Sequence, residues 1–457
     1  MMQQFNEKEW LKNQWEPSNF GDTRLNKRIV KLAEKILTNP HLGLPLQTQN
    51  WAELKGAYRF LGNNKVNYKE IQSKHHMNVL DETKKKTQPI LYIQDATELD
   101  FSSHESKKDE LGPLGDYRRT GLMLHSCLAI IPGKITEIIG LAHQIPWIRD
   151  NNAGRRKTET KAQRRKRETE AMHWEKTLQS IGNPSEKDMW ISVGDRGNDI
   201  FNFLSYCSTT NWNYLIRVTQ NRCIITSDNE KKLLKDYMCS LPSQGIKILN
   251  LRTRNGIRAR TVNLNIAYDK VIISVPSNHK RNTFKPIEAW SVRCWEDAPE
   301  GLNWILLTNI KVSSFNDALQ IVDWYALRWV IEEYHKCLKT GCAIERSQLK
   351  TAQSLLSLVG LMCIIATKLL ALKYLARDKN DVLAKEHVSL FPLKIICHLF
   401  NFDQESITVK QFWHNVASLG GFIGRKSDGD PGWQTLWKGW LRLLDMQNGA
   451  KIFESCG

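Results

Sequence analysis

Five side chains of complementary chemistry lie at short intervals between Trp324 and Thr340. They are a tyrosine, an arginine, a glutamate and two lysines: Tyr325, Arg328, Glu332, Lys336 and Lys339. At about 100° per residue, a continuous helix places all five on a stripe about 80° wide. One carboxylate among cations suits a metal-bound phosphate backbone. The alternative is a solvated helix face with favourable Glu–Lys pairs.

Two aspartates extend this possible site, because each follows an apolar run typical of a strand. Asp95 follows the run Leu-Tyr-Ile and Gln94, and Asp195 follows the run Met-Trp-Ile-Ser-Val. An acid in a strand is costly unless it is paired or binds a metal, and Mg²⁺ needs only a few carboxylate ligands. We therefore predict that Asp95, Asp195 and Glu332 hold divalent cations. The competing acids are Asp100, Asp199 and Glu333, and Asp195 also has Arg196 as a possible ion-pair partner.

Bringing these acids together requires a sheet and a helix. Apolar runs bounded by turn residues predict strands over 89–101, 122–131, 135–145, 189–193 and 214–218. Pro132-Gly133 forms the turn between the second and third strands, and a helix begins at about Asn198. The predicted order is three strands, a helix, a strand, a helix and a strand, which is an α/β core.

The second half of the chain changes character twice. Residues 220–310 read as a β-rich insertion, with strands over 258–266, 271–275 and 304–308, and the chain is helical from about 350. The longest apolar stretch, Leu355–Ala366, is predicted to be a buried helix, because it is short for a membrane span and has charged flanks. The apolar residues of Trp433–Leu444 share one helix face, which indicates core or a partner surface.

Charge points to polyanionic partners. The 457 residues carry a formal net charge of +17, which favours nucleic acid first and an acidic membrane surface second. The predicted helix Asp22–Leu37 carries a basic stripe that includes Arg24, Lys27 and Arg28, and an apolar stripe about 100° away. Such a helix suits a DNA groove, although an ordinary amphipathic surface helix has the same pattern. The basic segment 155–167 has no assigned role.

Other chemistries find little support. The chain has no P-loop, no GxSxG elbow and no HExxH pair. Its charge argues against a glycosidase, and Tyr325 lacks the Arg-His-x-x-Arg cluster of a tyrosine recombinase. The ten scattered cysteines contain no CxxC pair, and with no secretory leader they favour reduced thiols in the cytoplasm.

Taken together, these residues resemble the Tn-five-type transposases of the IS-four family of bacterial insertion sequences. The spacing Tyr-(2)-Arg-(3)-Glu-(6)-Lys is intact from Tyr325 to Lys339. Further matching motifs are Gly21-Asp22-x-Arg24, Gly56-Ala57-Tyr58-Arg59-Phe60, Asp95-x-Thr97, Asp195-Arg196 with Asp199-Ile200, Trp304-Ile-Leu-Leu-Thr308 and Leu419-Gly420-Gly421-Phe422.

The resemblance implies an RNase H-like (retroviral-integrase-like) mixed-sheet core with a β-rich insertion, flanked by helical domains. The implied limits are a DNA-end-binding domain over 1–70, a catalytic domain over 71–370 with the insertion at about 220–310, and a helical dimerisation domain over 371–457. The segment Trp433–Leu444 is the implied dimer surface.

The resemblance also implies roles for single residues. Asp95, Asp195 and Glu332 are the implied ligands of two Mg²⁺ ions, for which Mn²⁺ can substitute. Tyr325, Arg328, Lys336 and Lys339 grip DNA phosphate, Trp304 stacks on a flipped base, Arg217 contacts phosphate, and Arg24, Lys27 and Arg28 bind the transposon end.

The implied function is cut-and-paste DNA transposition by a homodimer on inverted-repeat ends and target DNA, in the bacterial cytoplasm at the nucleoid and without a membrane partner. Thr23, Leu25, a more basic 155–167 segment and a shorter C-terminal region depart from the family pattern. Two rival functions are an inactive DNA-binding inhibitor and a stand-alone RNase H-like nuclease.

Overall fold

The computed structural model describes residues 7–48, 50–104, 110–115, 118–133, 136–150, 169–251, 260–277, 283–299, 301–375, 382–425 and 428–456. The basic segment 155–167 lies outside these ranges.

Helices form the N-terminal part of the chain, as predicted. They are α1 (Glu7–Trp15), α2 (Thr23–Thr38), α3 (Leu44–Gln47), α4 (Trp51–Leu61) and α5 (Tyr68–Lys84). Asp22 caps α2, because its carboxylate accepts a hydrogen bond from the Arg24 amide at 2.9 Å. The predicted apolar stripe of α2 faces inward, and Ile29, Leu32 and Ile36 are buried.

A mixed sheet follows. Its first strands are β1 (Ile90–Asp100), β2 (Gly112–Pro113), β3 (Thr120–Ile131), β4 (Glu137–Trp147), β5 (Trp190–Gly194) and β6 (Asn213–Arg217). Strand β3 pairs antiparallel with both β1 and β4, whereas β5 pairs parallel with β1 and β6 pairs parallel with β5. Helix α6 (His173–Ile181) precedes β5, and α7 (Phe201–Thr209) links β5 to β6. This arrangement confirms the predicted order and is consistent with an RNase H-like α/β fold.

The predicted insertion is rich in strands and continues the same sheet. It contains β7 (Cys223–Thr226), β8 (Lys231–Leu233), α8 (Leu234–Ser240), β9 (Gly245–Leu251), β10 (Arg260–Ile273), β11 (Ile287–Trp295) and β12 (Asn303–Thr308). Strand β12 pairs with β6, which joins the insertion to the core. The prediction of separate strands over 258–266 and 271–275 is wrong, because β10 runs unbroken and pairs with β11 over 265–273.

Helices complete the chain. After α9 (Phe315–Ala326) and α10 (Trp329–Lys336) comes a π-helical turn, Cys337–Gly341, and then α11 (Ala352–Leu375). Helix α11 is the one helix of the described ranges long and apolar enough to cross a membrane. Because 83% of its apolar window is buried in the fold, the prediction of a buried helix is confirmed. The predicted domain limits near residues 70 and 370 fall inside α5 and α11.

The last helices form a small bundle with its own apolar core. They are α12 (Leu390–Phe400), α13 (Val409–Leu419) and α14 (Trp433–Cys456). Leu436, Trp437, Leu443 and Leu444 are buried within the chain, which confirms the core alternative for these residues of Trp433–Leu444. The implied dimer surface stays a prediction.

Candidate active site

Two predicted acids lie side by side where β5 ends against the middle of β1. The register pairs Ile93 of β1 with Val193 of β5, so Asp95 and Asp195, each two residues further on, lie at the same level. Burial raises the pKa of Asp95 to about 6, the negative charge of Asp195 adds to this, and Arg328 partly offsets both. The two carboxylates are therefore close enough to repel each other.

The turn that carries Asp195 is tightly built. Asp195 Oδ1 accepts a hydrogen bond from the Gly197 amide at 2.7 Å, which caps the short 3₁₀ turn Arg196–Asn198. Gly194 leaves no room for a side chain, because a Cβ there would lie 2.5 Å from Asn198 Nδ2. The hydrogen bond to Gly197 holds the Asp195 carboxylate against this turn, at the point where β5 ends.

The third acid joins this pair through an arginine. Arg328 Nη1 lies 3.3 Å from Asp95 Oδ2, and Arg328 Nη2 lies 2.7 Å from Glu332 Oε1. The structure thus places Asp95, Asp195 and Glu332 around one site, although they are up to 237 positions apart in sequence (332 − 95 = 237).

The prediction of one helix across Trp324–Thr340 is wrong. Helix α9 ends at Ala326 and α10 begins at Trp329. Between them the Arg328 amide donates to Tyr325 O at 3.0 Å and the Ile331 amide to Arg328 O at 3.2 Å, a 3₁₀-type turn. The π-helical turn then displaces Lys339. The five side chains therefore do not share one straight stripe, yet Arg328 and Glu332 remain in contact.

The predicted DNA-contact residues near the triad occupy different environments. Tyr325 is buried, and its ring meets Trp304 edge-on with centroids 5.1 Å apart. Arg217 lies on β6 opposite Leu306 of β12, and its Nη2 donates to Asn303 O at 3.1 Å. Lys336 is exposed, and Lys339 Nζ lies 3.7 Å from Glu345 Oε1.

The competing acids have other partners. Asp199 is buried, pairs with Arg222 and accepts hydrogen bonds from the Thr219 and Gln220 amides at 2.7 and 2.6 Å. Glu333 pairs with the buried Lys373 at 3.1 Å. Asp100 accepts hydrogen bonds from Ser102, which together with Arg119 hold its pKa below the ordinary value. The geometry therefore favours the three predicted acids over these three.

The N-terminal basic residues lie on helices away from the triad. The Arg24 side chain is 89% exposed and pairs with Asp22, and Lys27 is exposed. Arg28 folds against α4, since a Cβ on Gly56 would lie 3.0 Å from its Nη1.

Helix α4 has a basic surface that was not predicted, in addition to the predicted basic stripe of α2. Its outer face combines exposed aromatic and basic side chains: Trp51, Lys55, Tyr58 and Arg59. At about 100° per residue they fall within roughly 100° of one another, and this spacing is the signal that could have found them.

The triad suits a hard divalent cation by its chemistry, since its ligand atoms are all carboxylate oxygens. Its side chains are not yet arranged as ligands. Within the described ranges, no three His, Cys, Asp or Glu side chains stand close enough together to hold a metal ion. Arg328 contacts both Asp95 and Glu332, so a cation at these acids competes with this guanidinium.

Comparison with known proteins identifies two families along the chain. Residues 7–66 match the family model described as Transposase DNA-binding, and residues 191–367 match the one described as Transposase DDE domain. The second match contains Asp195 and Glu332. Among solved structures, the chain is similar to the one titled "Cryo-EM structure of piggyBac transposase synaptic complex with hairpin DNA (SNHP)". The TM-score is 0.35 at 9% identity over 99% of this chain and 80% of the other, too weak a likeness to bear on the fold.

Proposed function

We propose that this chain, which matches DNA-binding and DDE-domain transposase models, is a cut-and-paste DDE transposase of the Tn-five type in the IS-four family. The observation that carries the proposal is that Asp95 in the middle of β1 and Asp195 just after β5 lie at the same level, with Arg328 in contact with Asp95 and Glu332. The intact Tyr-(2)-Arg-(3)-Glu-(6)-Lys spacing supports the subtype.

The triad would hold two Mg²⁺ ions, with Mn²⁺ able to substitute. When bound, such ions activate the attacking oxygen and stabilise the leaving oxygen of an in-line phosphoryl displacement. The protein itself supplies no nucleophile. Asp95, Asp195 and Glu332 would hold and orient the cations, and the hydrogen bond from the Gly197 amide restrains the Asp195 carboxylate.

The proposed reaction begins with hydrolysis at the transposon end. Water attacks the phosphorus and the 3′-oxygen leaves as a 3′-hydroxyl. That hydroxyl then attacks the phosphorus of the opposite strand, the 3′-oxygen of the flanking DNA leaves, and a hairpin results. A second water attacks the hairpin phosphorus and the transposon 3′-oxygen leaves again as a hydroxyl. This hydroxyl finally attacks a target phosphodiester, from which the target 3′-oxygen leaves. Each step exchanges one oxygen on phosphorus, so one set of carboxylates serves all four.

Cationic and aromatic side chains beside the triad would hold the DNA strand. Arg328, Lys336 and Lys339 offset charge on the phosphate, and Arg217 contacts the backbone from β6. Trp304 supplies a stacking platform for a flipped base, and base stacking on an aromatic ring is worth roughly 1–3 kcal/mol. The packing of Tyr325 against Trp304 fixes the orientation of this platform.

The N-terminal helices would bind the inverted repeat. Lys27 and Arg24 on α2 and the aromatic–basic face of α4 are exposed together on this part of the chain. We further propose a homodimer that pairs two ends, acting at the nucleoid in a bacterial cytoplasm. Because Leu436, Trp437, Leu443 and Leu444 are buried within the chain, a dimer contact by α14 would use the exposed residues of that helix.

The test is a gel assay with donor DNA that carries the inverted repeats flanking the coding region. Glu332→Gln should reduce end cleavage in Mg²⁺ by at least about a hundredfold, since loss of even an outer-shell partner of a metal site costs 10–100-fold. End binding, measured by gel shift, should be nearly unchanged. Hairpin and strand-transfer products should disappear together with the nick.

The matched control is Glu333→Gln, the same substitution one residue along, at a side chain that faces Lys373 instead of the triad. It should cleave like the wild type. Normal cleavage by Glu332→Gln would refute the triad. No cleavage by the wild-type chain would favour an inactive DNA-binding inhibitor, and cutting without end preference would favour a stand-alone nuclease.

A further inference from the structure

Arg328 makes an unusual pair of contacts inside the candidate site. Its two terminal nitrogens reach different carboxylates, Asp95 Oδ2 at 3.3 Å and Glu332 Oε1 at 2.7 Å. The three side chains are only 14%, 21% and 28% exposed for Arg328, Asp95 and Glu332. A single guanidinium cation thus lies between two of the three acids.

We propose that Arg328 is a DNA-operated switch for metal binding. In the free protein its guanidinium holds Asp95 and Glu332 and competes with divalent cations. A DNA phosphate at the site draws the guanidinium away and frees both carboxylates for the metal. This inference rests on the proposed function, because it takes the triad as the metal site and a DNA strand as the partner.

The guanidinium and a divalent cation compete for the same carboxylates. A Mg²⁺ ion takes carboxylate oxygens at about 2.0–2.1 Å in nearly octahedral geometry. Arg328 contacts Asp95 Oδ2 and Glu332 Oε1, and the Ala96 amide donates to Asp95 Oδ1 at 2.8 Å. Because the positive charge of Arg328 lies against two of the three acids, it opposes a second cation there, and metal binding is stronger when the guanidinium leaves.

A phosphate would offer the guanidinium a second anionic partner. Burial lowers the pKa of Arg217 on β6, and the positive charges of Arg196 and Arg328 lower it further. Cations gathered in this way favour an anion among them, and guanidinium binds phosphate in a bidentate fork.

The switch makes metal and DNA binding cooperative. By linkage, DNA raises the affinity for metal by the same factor as metal raises the affinity for DNA. A free protein with weak metal binding would be a poor nuclease towards DNA that it has not engaged. The site would gain its cations only when a strand is in place.

The test measures Mn²⁺ binding to the full chain by electron paramagnetic resonance, with and without a duplex that carries the terminal repeat. DNA saturation is confirmed by fluorescence anisotropy. In the wild type, DNA should raise the Mn²⁺ affinity at least about tenfold, within the usual range of coupling between sites. Arg328→Ala should bind Mn²⁺ about tenfold tighter than the wild type without DNA, and DNA should add little.

The matched control is Arg260→Ala, which also removes an arginine from a carboxylate pair, in this case with Glu296 in the insertion. In the Arg260→Ala protein, DNA should raise the Mn²⁺ affinity by the same factor as in the wild type. Arg328→Gln serves as a second variant if the alanine chain folds poorly. Full DNA dependence retained in both Arg328 variants would overturn the inference.

Failure of the proposed metal site gives a different result. Asp195→Asn does not touch the Arg328 contacts and should abolish Mn²⁺ binding with or without DNA. If Asp195→Asn binds Mn²⁺ like the wild type, the triad is not the metal site. If it loses Mn²⁺ while the Arg328 variants keep the coupling, the triad stands and only the switch is wrong.

Discussion

Single residues in the site are held in states that cost the fold free energy. Asp95 lies in the middle of β1, where burial and the neighbouring Asp195 disfavour its ionised form. Asp100, on the same strand, has a lowered pKa because Ser102 and Arg119 stabilise its charge. A carboxylate raised in pKa is typical of functional positions, whereas one lowered in pKa contributes to stability.

Asp95→Asn should stabilise the metal-free protein at neutral pH. The folded-state pKa of Asp95, about 6, exceeds its ordinary 3.8, so ionisation penalises the fold above pH 6 and the penalty fades as pH falls from 6 to 4. That pKa difference corresponds to at most roughly 3 kcal/mol, and we expect about 1–2 kcal/mol because the contact with Arg328 is also lost. Denaturant unfolding in EDTA should show this gain at pH 7.5 and none at pH 4.

Asp100→Asn is the control on the same strand, and its effect has the opposite sign. Because the pKa of Asp100 is lowered, its ionised form stabilises the fold, and the Asp100→Asn protein should be less stable than the wild type at pH 7.5 and by a smaller margin at pH 4. A gain from Asp95→Asn that is equal at both pH values would contradict the assigned cause.

Individual elements depend on close backbone contacts that only glycine permits. Helices α13 and α14 cross at Gly420 and Gly439. A Cβ on Gly420 would lie 1.9 Å from Thr435 O, and one on Gly439 would lie 1.7 Å from Val416 O. Neither carbonyl can move without distorting its helix, so glycine at these two positions allows the close approach of α13 and α14.

Gly439→Ala should destabilise the C-terminal bundle by about 2–3 kcal/mol, the cost of forced overpacking. Gly449→Ala is the matched control in the same helix, because a Cβ there has open space around it. It should stabilise α14 by about 0.5–1 kcal/mol, the helix penalty of glycine. Thermal unfolding followed by circular dichroism should show shifts of opposite sign, and equal shifts would refute the crossing.

At the scale of the whole molecule, the N-terminal helices and the catalytic core share one apolar core. Leu11, Trp15 and Leu32 belong to the same buried cluster as Leu355 of α11. Trp15 Nε1 also donates to Ile71 O at 3.2 Å. The C-terminal bundle instead has a separate cluster around Phe412 and Trp413. The N-terminal helices therefore pack on the same apolar core as the sheet and α11.

Leu32→Ala in α2 should accordingly weaken the distant sheet. Truncation of a buried leucine costs about 2–5 kcal/mol. The free energy of opening of the β1 amides, obtained from hydrogen exchange by mass spectrometry, should fall by this amount, so these amides should exchange faster. The amides of α13 should change much less. Lys27→Ala, on the exposed side of the same helix, should leave both unchanged. Unaltered exchange in β1 would show that residues 7–66 unfold independently.

Local pattern was sufficient for most elements, whereas the identity of the triad stays a prediction. The apolar run before Asp95, the capped amphipathic helix after Asp22 and the apolar stretch around Leu355 each report their own environment, because burial of a whole strand, of one helix face or of a whole helix imposes those patterns on a sequence. The spacing of Tyr325, Arg328, Glu332 and Lys339 likewise indicated the chemistry without a structure.

Tertiary structure decided what depends on neighbours far along the chain. The break between α9 and α10, the unbroken β10 and the burial of the α14 face follow from packing and strand pairing, which override local propensity. Asp199 is a poorer candidate ligand than Asp195 because its carboxylate is already bound by Arg222 and by two backbone amides, which lie near it only in the folded chain. The position of Arg328 between two acids likewise exists only in the fold, since a guanidinium responds to the charges around it rather than to its sequence neighbours.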